Sequence, residues 1–160
     1  MNKLMREEYG FTLIEAMITV AIAAIIASFA IPSYVEQVKK GKRSDAKIEL
    51  LRLAQIQESY FAQNLSYAKD LTSTRANGGL GFTAPVRSEN DEYTISMTAK
   101  DRLGGGCNGK PTDACTSYTL TATPTTGKSQ VNDSKCLSFT LTNTGLKGVS
   151  GSSTAQKCWK

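Results

Sequence analysis

Four cysteines, one acid inside an apolar run and a scatter of lysines are the side chains with chemistry to offer in this chain of 160 residues. Histidine is absent. That removes Ser-His-Asp and Cys-His nucleophile systems, imidazole metal ligands and any general base titrating naturally near neutrality. An enzyme would have to work with carboxylates or lysine alone, and no carboxylate pair or phosphate-cradling glycine loop stands in the sequence. The expectation is a non-enzyme without metal or cofactor. Cys107, Cys115, Cys136 and Cys158 all fall in the last third, and none forms a C-x-x-C pair. Such spacing argues against a zinc ribbon or thioredoxin-type motif and for two disulfides made in an oxidising compartment.

The acid is Glu15, the single charge in residues 11–31. At a rise of about 1.5 Å per residue a helix over this stretch is about 31 Å long, close to the thickness of a bilayer's hydrocarbon layer. A core helix this uniformly apolar needs a large domain around it, and the remaining chain is too polar to supply one. A secretory signal peptide has a shorter apolar stretch and ends at a small-residue cleavage site. Ala27-Ser28-Phe29-Ala30 is a poor match to such a site, so the segment reads as a retained membrane span. A carboxylate within it costs about 2.5–3.5 kcal/mol near the centre and less near an end. It is expected either to meet a partner cation or to reach the headgroups.

The elements that position these residues follow from periodicity. On a helical wheel over residues 44–65, Ala46, Leu50, Leu53, Ala54, Ile56, Tyr60, Phe61 and Leu65 share half the circumference, with Gln57 as the polar exception. Ile48 and Leu51 fall outside the arc. This predicts an amphipathic helix over residues 32–66 continuing the apolar one, interrupted at Pro32 and at Gly41. Beyond Tyr67 the chain turns rich in Thr, Ser, Gly and Asn, with a loop at residues 77–81. Alternation predicts strands at residues 93–99, 116–123 and 136–142 and a short one at 146–149. One apolar face per strand makes an α+β fold, a small antiparallel sheet over residues 67–160 covered by the amphipathic helix.

The run Gly10-Phe11-Thr12-Leu13-Ile14-Glu15, after a short polar leader and before the apolar stretch that ends at Pro32, resembles type IV pilins and the related pseudopilins of type II secretion. The resemblance implies that residues 1–10 are a leader cut after Gly10 by a prepilin peptidase, and that Phe11 becomes an N-methylated N-terminus. It implies further that Glu15 faces the terminal amine of a neighbouring subunit in the filament, with Pro32 part of the assembly helix. The later stretch from Tyr118 to Trp159 is similar to PilE-like minor pilins. That similarity pairs Cys136 with Cys158 and Cys107 with Cys115; the sequence by itself leaves the other two pairings open.

The partners implied are other pilin subunits, the peptidase, and the inner membrane before export of the sheet domain. The resulting expectation is a structural subunit of an extracellular type IV pilus, serving adhesion or twitching motility, as a minor pilin. The alternatives are a major pilin, a DNA-binding competence pilin and a secretion pseudopilin. The net charge of +5, from 19 Lys plus Arg and 14 Asp plus Glu, keeps DNA in view. The candidate phosphate contacts are Lys110, Lys128, Lys135, Lys147 and Lys157. Charge and topology disagree at one point. Lys39, Lys40, Lys42 and Arg43 follow the span, whereas the leader sets Glu7 and Glu8 against Lys3 and Arg6. A positive-inside count would place the sheet domain in the cytoplasm; disulfides and leader place it outside.

Overall fold

The computed structural model describes residues 10–160; residues 1–9, most of the expected leader, lie outside the described residues. The chain divides into two units, Met1–Val38 and Lys39–Lys160. One helix, α1, runs Leu13–Asn64 and contributes to both.

In the first unit α1 starts on a cap written in the sequence. Thr12 accepts the Glu15 N–H through its hydroxyl at 3.3 Å and the Ala16 N–H through its carbonyl at 3.1 Å. Thr12-Leu13-Ile14-Glu15 has the S/T-x-x-E spacing of a capping box. Between residues 11 and 31 every side chain is exposed except half-buried Ala27. The expected break at Pro32 does not occur, nor does one at Gly41: both lie inside α1. Proline removes one donor from the ladder, a loss that helices in apolar surroundings tolerate. Glycine costs about 1 kcal/mol relative to alanine, and the buried face that begins two residues later offsets it.

The second unit holds the core. Strands β1 Tyr93–Lys100, β2 Ser117–Pro124, β3 Ser138–Thr142 and β4 Lys147–Ser150 form an antiparallel sheet in chain order. Each bound lies within two residues of its predicted position. Register pairs Met97 with Leu120, Leu120 with Leu141 and Phe139 with Val149. The inward-facing Tyr93, Ile95, Tyr118, Leu120, Ala122, Phe139 and Leu141 join Ala46, Leu50, Leu53 and Tyr60 of α1 in one buried cluster. A four-residue helix, α2 Ala155–Cys158, follows β4. Disulfides link Cys107 to Cys115 and Cys136 to Cys158, leaving no free thiol among the described residues.

Two members of the predicted arc depart from it. Phe61 is only partly covered and Leu65 is 72% exposed. The helix ends at Asn64, and Leu65 takes a left-handed φ of 53° that swings it away from the sheet. Gln57, the polar exception, is fully buried. Its carbonyl accepts the Ala68 N–H at 2.9 Å and its amide lies 2.8 Å from the Met97 sulfur, so it satisfies the main chain where the chain turns back from the helix. Trp159 stacks edge-on against Phe139 at 5.7 Å and donates its indole N–H to the Gly148 carbonyl at 2.9 Å.

Candidate functional site

Two surfaces offer something beyond packing. The first is the span. Eighteen consecutive positions of α1 are apolar enough to cross a membrane, and none of that window is buried. Large side chains such as Phe11, Leu13, Ile14, Met17, Val20 and Phe29 stand in the open. An apolar surface of this extent must be covered by lipid or by other protein. Glu15 sits in the first helical turn, where the unpaired N–H groups and the dipole favour a negative charge. Gly10 and Phe11 precede the helix as exposed, non-helical backbone.

The second surface is polar and belongs to the Lys39–Lys160 unit. A cavity of about 320 Å³ is lined by Lys69, Ser73, Asn77, Asn108, Lys110 and Thr112. Two loops far apart in sequence make it. The Gly78 carbonyl accepts the Lys69 N–H at 2.8 Å, while Asn108 reaches back by its own N–H to the Asp113 carbonyl at 3.1 Å. Glycine is needed where they cross: a Cβ on Gly78 would collide with the Asn108 carbonyl, and Gly78 has a φ of +81°. Tyr60 of α1 pins the crossing from below through its hydroxyl to the Gly109 carbonyl at 3.0 Å.

The other candidate lysines do not gather there. Lys128 is exposed just before a short 3₁₀ turn, Ser129–Asn132. Lys135 is exposed immediately before Cys136, where the larger disulfide loop begins, and Lys157 is exposed on α2. Lys147 lies 5.2 Å above the Trp159 ring. It also faces Lys47, whose ammonium is held below its ordinary pKa by burial first and then by Arg43 and Lys147. Lys110 shares the polar cavity with a second lysine, Lys69, which is not among the sequence candidates because nothing local marks it.

Three of the four basic residues that follow the apolar stretch are engaged within the folded unit. Lys39 donates to the Asn132 carbonyl at 3.2 Å, and Lys42 binds Glu92 at 2.6 Å and Ser129 at 2.6 Å. Arg43 grips both oxygens of Asp133, at 2.6 and 2.9 Å, with both residues buried. Asp133 in turn accepts the Cys136 N–H at 3.3 Å, which fixes the start of the larger disulfide loop. Burial alone would raise this carboxyl, but the bonds from Arg43 and Cys136 outweigh it and hold the group below its ordinary value.

Residues 32–140 match the family described as type IV minor pilin ComP, DNA uptake sequence receptor, and residues 5–31 match the prokaryotic N-terminal methylation motif. The chain belongs to the type IV pilin family. The type IV major pilin protein PilA of Myxococcus xanthus is 42% identical to this pilin over 92 residues, 58% of this chain and 39% of that protein. The type IV major pilin protein PilE of Neisseria gonorrhoeae is 31% identical over 100 residues, 58% of each chain. The match thus spans less than two thirds of either relative, and the relative that carries the name PilE is described as a major pilin. A solved type IV pilin from Shewanella oneidensis is 22% identical, with a TM-score of 0.42 over 68% of this chain and 89% of that one. This pilin is accordingly a structural subunit by family.

Proposed function

We propose that the chain is a minor pilin, cut after Gly10, N-methylated on Phe11 and held in the inner membrane by residues 11–31 until it joins a pilus, with the disulfide-bonded unit on the periplasmic side and then outside the cell. The observation that carries this reading is the exposed apolar helix with one acid at its capped start. Lipid covers such a helix before assembly, and neighbouring helices replace the lipid afterwards. Glu15 is then best satisfied by the terminal amine of an adjacent subunit. The engagement of Lys39, Lys42 and Arg43 with the folded unit supports the periplasmic orientation, because these cations act in the fold and are not reserved for a cytoplasmic surface.

The test is Glu15→Val and Glu15→Gln in cells carrying the other assembly components. The Thr12 cap uses the Glu15 main chain, so both variants keep the helix and the membrane-bound level is expected to stay unchanged. The amount recovered in sheared fibres should fall about tenfold or more, the factor that about 1.4 kcal/mol of lost pairing gives. Wild-type incorporation by Glu15→Val would refute the pairing.

A second reading, in which the subunit also binds DNA, is favoured by the paired lysines of the Lys69–Lys110 cavity. It is supported by the description of the family matched over residues 32–140. Two phosphate contacts there would make binding fall with salt. Lys69→Ala with Lys110→Ala is expected to flatten the logarithmic salt slope by about 1.8, at 0.9 per contact. Gel shifts of the full chain in detergent between low and physiological salt measure it. A slope unchanged by the double substitution would take DNA away from this cavity.

A further inference from the structure

The first cations of the sheet unit meet a turn from much later in the chain. Lys39, where that unit begins, donates to the Asn132 carbonyl at 3.2 Å, and its own carbonyl accepts the Gln130 amide at 3.4 Å. Lys42, one helical turn on, reaches the Ser129 hydroxyl at 2.6 Å. The 3₁₀ turn Ser129–Asn132 therefore lies alongside residues 39–42. Val131 on this turn is 46% exposed, and Lys128 before it and Lys40 on the helix are exposed as well. Lys42 and Arg43 are neutralised by Glu92 and Asp133, which leaves Lys39, Lys40 and Lys128 against half-buried Glu36. Asp45, Glu89 and Asp91 stand further along, because Asn90 fixes their loop to Asp45, about 9 Å up the helix from Lys39.

Chain length ties this corner to a membrane surface. Tyr34, 72% exposed, follows the apolar stretch, where aromatic side chains sit at headgroup level. The chain from Tyr34 to Lys39 covers about 18 Å at full extension and about 8 Å as helix. We propose that the Ser129–Asn132 turn, with Lys39, Lys40 and Lys128, docks on anionic phospholipid headgroups of the membrane that holds the span, before the subunit joins a filament. Val131 supplies an apolar contact at the headgroup boundary, and the lysines supply the attraction to anionic lipid. A second copy related by a two-fold axis would instead set the same lysines against one another. The docking rests on the membrane-held reading given above. It gives the cations after the span a role on the outer side of the membrane, where a positive-inside count alone would not place them.

Amine acetylation of the full chain in lipid nanodiscs tests it, with N-hydroxysuccinimidyl acetate as the reagent and mass spectrometry reading each lysine. Discs of phosphatidylglycerol are compared with discs of phosphatidylcholine. An anionic surface holds nearby ammonium protons more tightly, so Lys40 and Lys128 are expected to react about three- to sevenfold more slowly in phosphatidylglycerol. Lys110 should react equally in both, because Tyr60 pins its loop about 32 Å further up α1 than Lys39. Val131→Asp changes an exposed position and sets a carboxylate against the headgroups. In that variant the ratio of the two Lys128 rates should fall to about one, while Lys40, held near the surface by chain length, keeps its ratio. Equal Lys128 rates in the two discs overturn the proposal, as does a Lys128 ratio that survives Val131→Asp. A chain that fails to co-elute with the discs refutes the membrane-held reading and the docking with it, whereas co-elution with Lys128 unprotected refutes the docking alone.

Discussion

At the scale of single residues, the contacts that close the second unit join positions far apart in the chain. Arg43 and Asp133 are separated by 90 positions, yet each is the other's principal partner in a buried site. Asp133→Asn should remove the buried carboxylate that two Arg43 hydrogen bonds reach, a loss of about 3–5 kcal/mol. The pH dependence has a definite sign. A carboxyl held below its unfolded value contributes stability that is complete above about pH 4 and is lost as pH falls through the folded pKa. Urea denaturation of the full chain in detergent, followed by Trp159 fluorescence, should show wild type losing stability below pH 4. Asp133→Asn should be weaker at pH 7 and flatter across that acid range. A variant as stable as wild type at pH 7 would contradict this account of the pair. Tyr93 behaves differently: burial pushes its hydroxyl up to about 12, so it stays neutral and accepts the Gln130 amide at 2.9 Å. None of these partners was legible in the sequence. A wheel or an alternation pattern reports which face a residue shares, and Gln57 shows the limit of that signal, because what it satisfies is the main chain of Ala68 after a turn.

At the scale of elements the sequence was far more informative, for a physical reason. The apolar run, the 3.6-residue arc and the period-two strands are local consequences of burial on one face, and each reappears within a few residues of its predicted bounds. What failed was local chemistry treated as decisive. Pro32 and Gly41 are weak points in an isolated helix, but α1 passes both. The cap at Thr12 stands in the S/T-x-x-E spacing, where Glu15 reads first as the lone charge of an apolar run. The long connection from Leu65 to Glu92 was legible merely as a loop. Its consequences, the bridge from Arg87 to Thr94 of β1 and the crossing at Gly78 and Gly109, depend on where a non-periodic chain returns to the sheet, and composition does not encode that. The candidate site divides the same way: Gly10, Phe11 and Glu15 were visible as a motif, whereas Lys69 acquires meaning only when folding brings it to Lys110.

At the scale of the whole molecule the two units differ in what solvent they require. Among the described residues every buried core residue lies within Lys39–Lys160, and both disulfides do as well. The described residues of the other unit form an exposed apolar helix with none of its membrane-length window buried. Removing residues 1–38 therefore leaves every described core residue in place and deletes the surface that demands lipid. The cut has one cost. Lys39, Lys40, Lys42 and Arg43 would come to lie in the first turns of a new helix N-terminus, whose dipole disfavours positive charge by about 0.3–1 kcal/mol at each site. The ion pairs of Lys42 with Glu92 and Arg43 with Asp133 oppose that penalty. The fragment 39–160 is therefore expected to be soluble without detergent, to hold both disulfides and to melt in one cooperative step. Its midpoint should lie a few degrees below that of the same unit in the full chain, the shift that about 1 kcal/mol produces in a domain of this size. Near-UV circular dichroism and calorimetry, run beside the detergent-solubilised full chain, measure both quantities. A fragment that aggregates on oxidation or lacks near-UV structure would mean that the sheet unit depends on the helix before it, against the division of the chain at Val38.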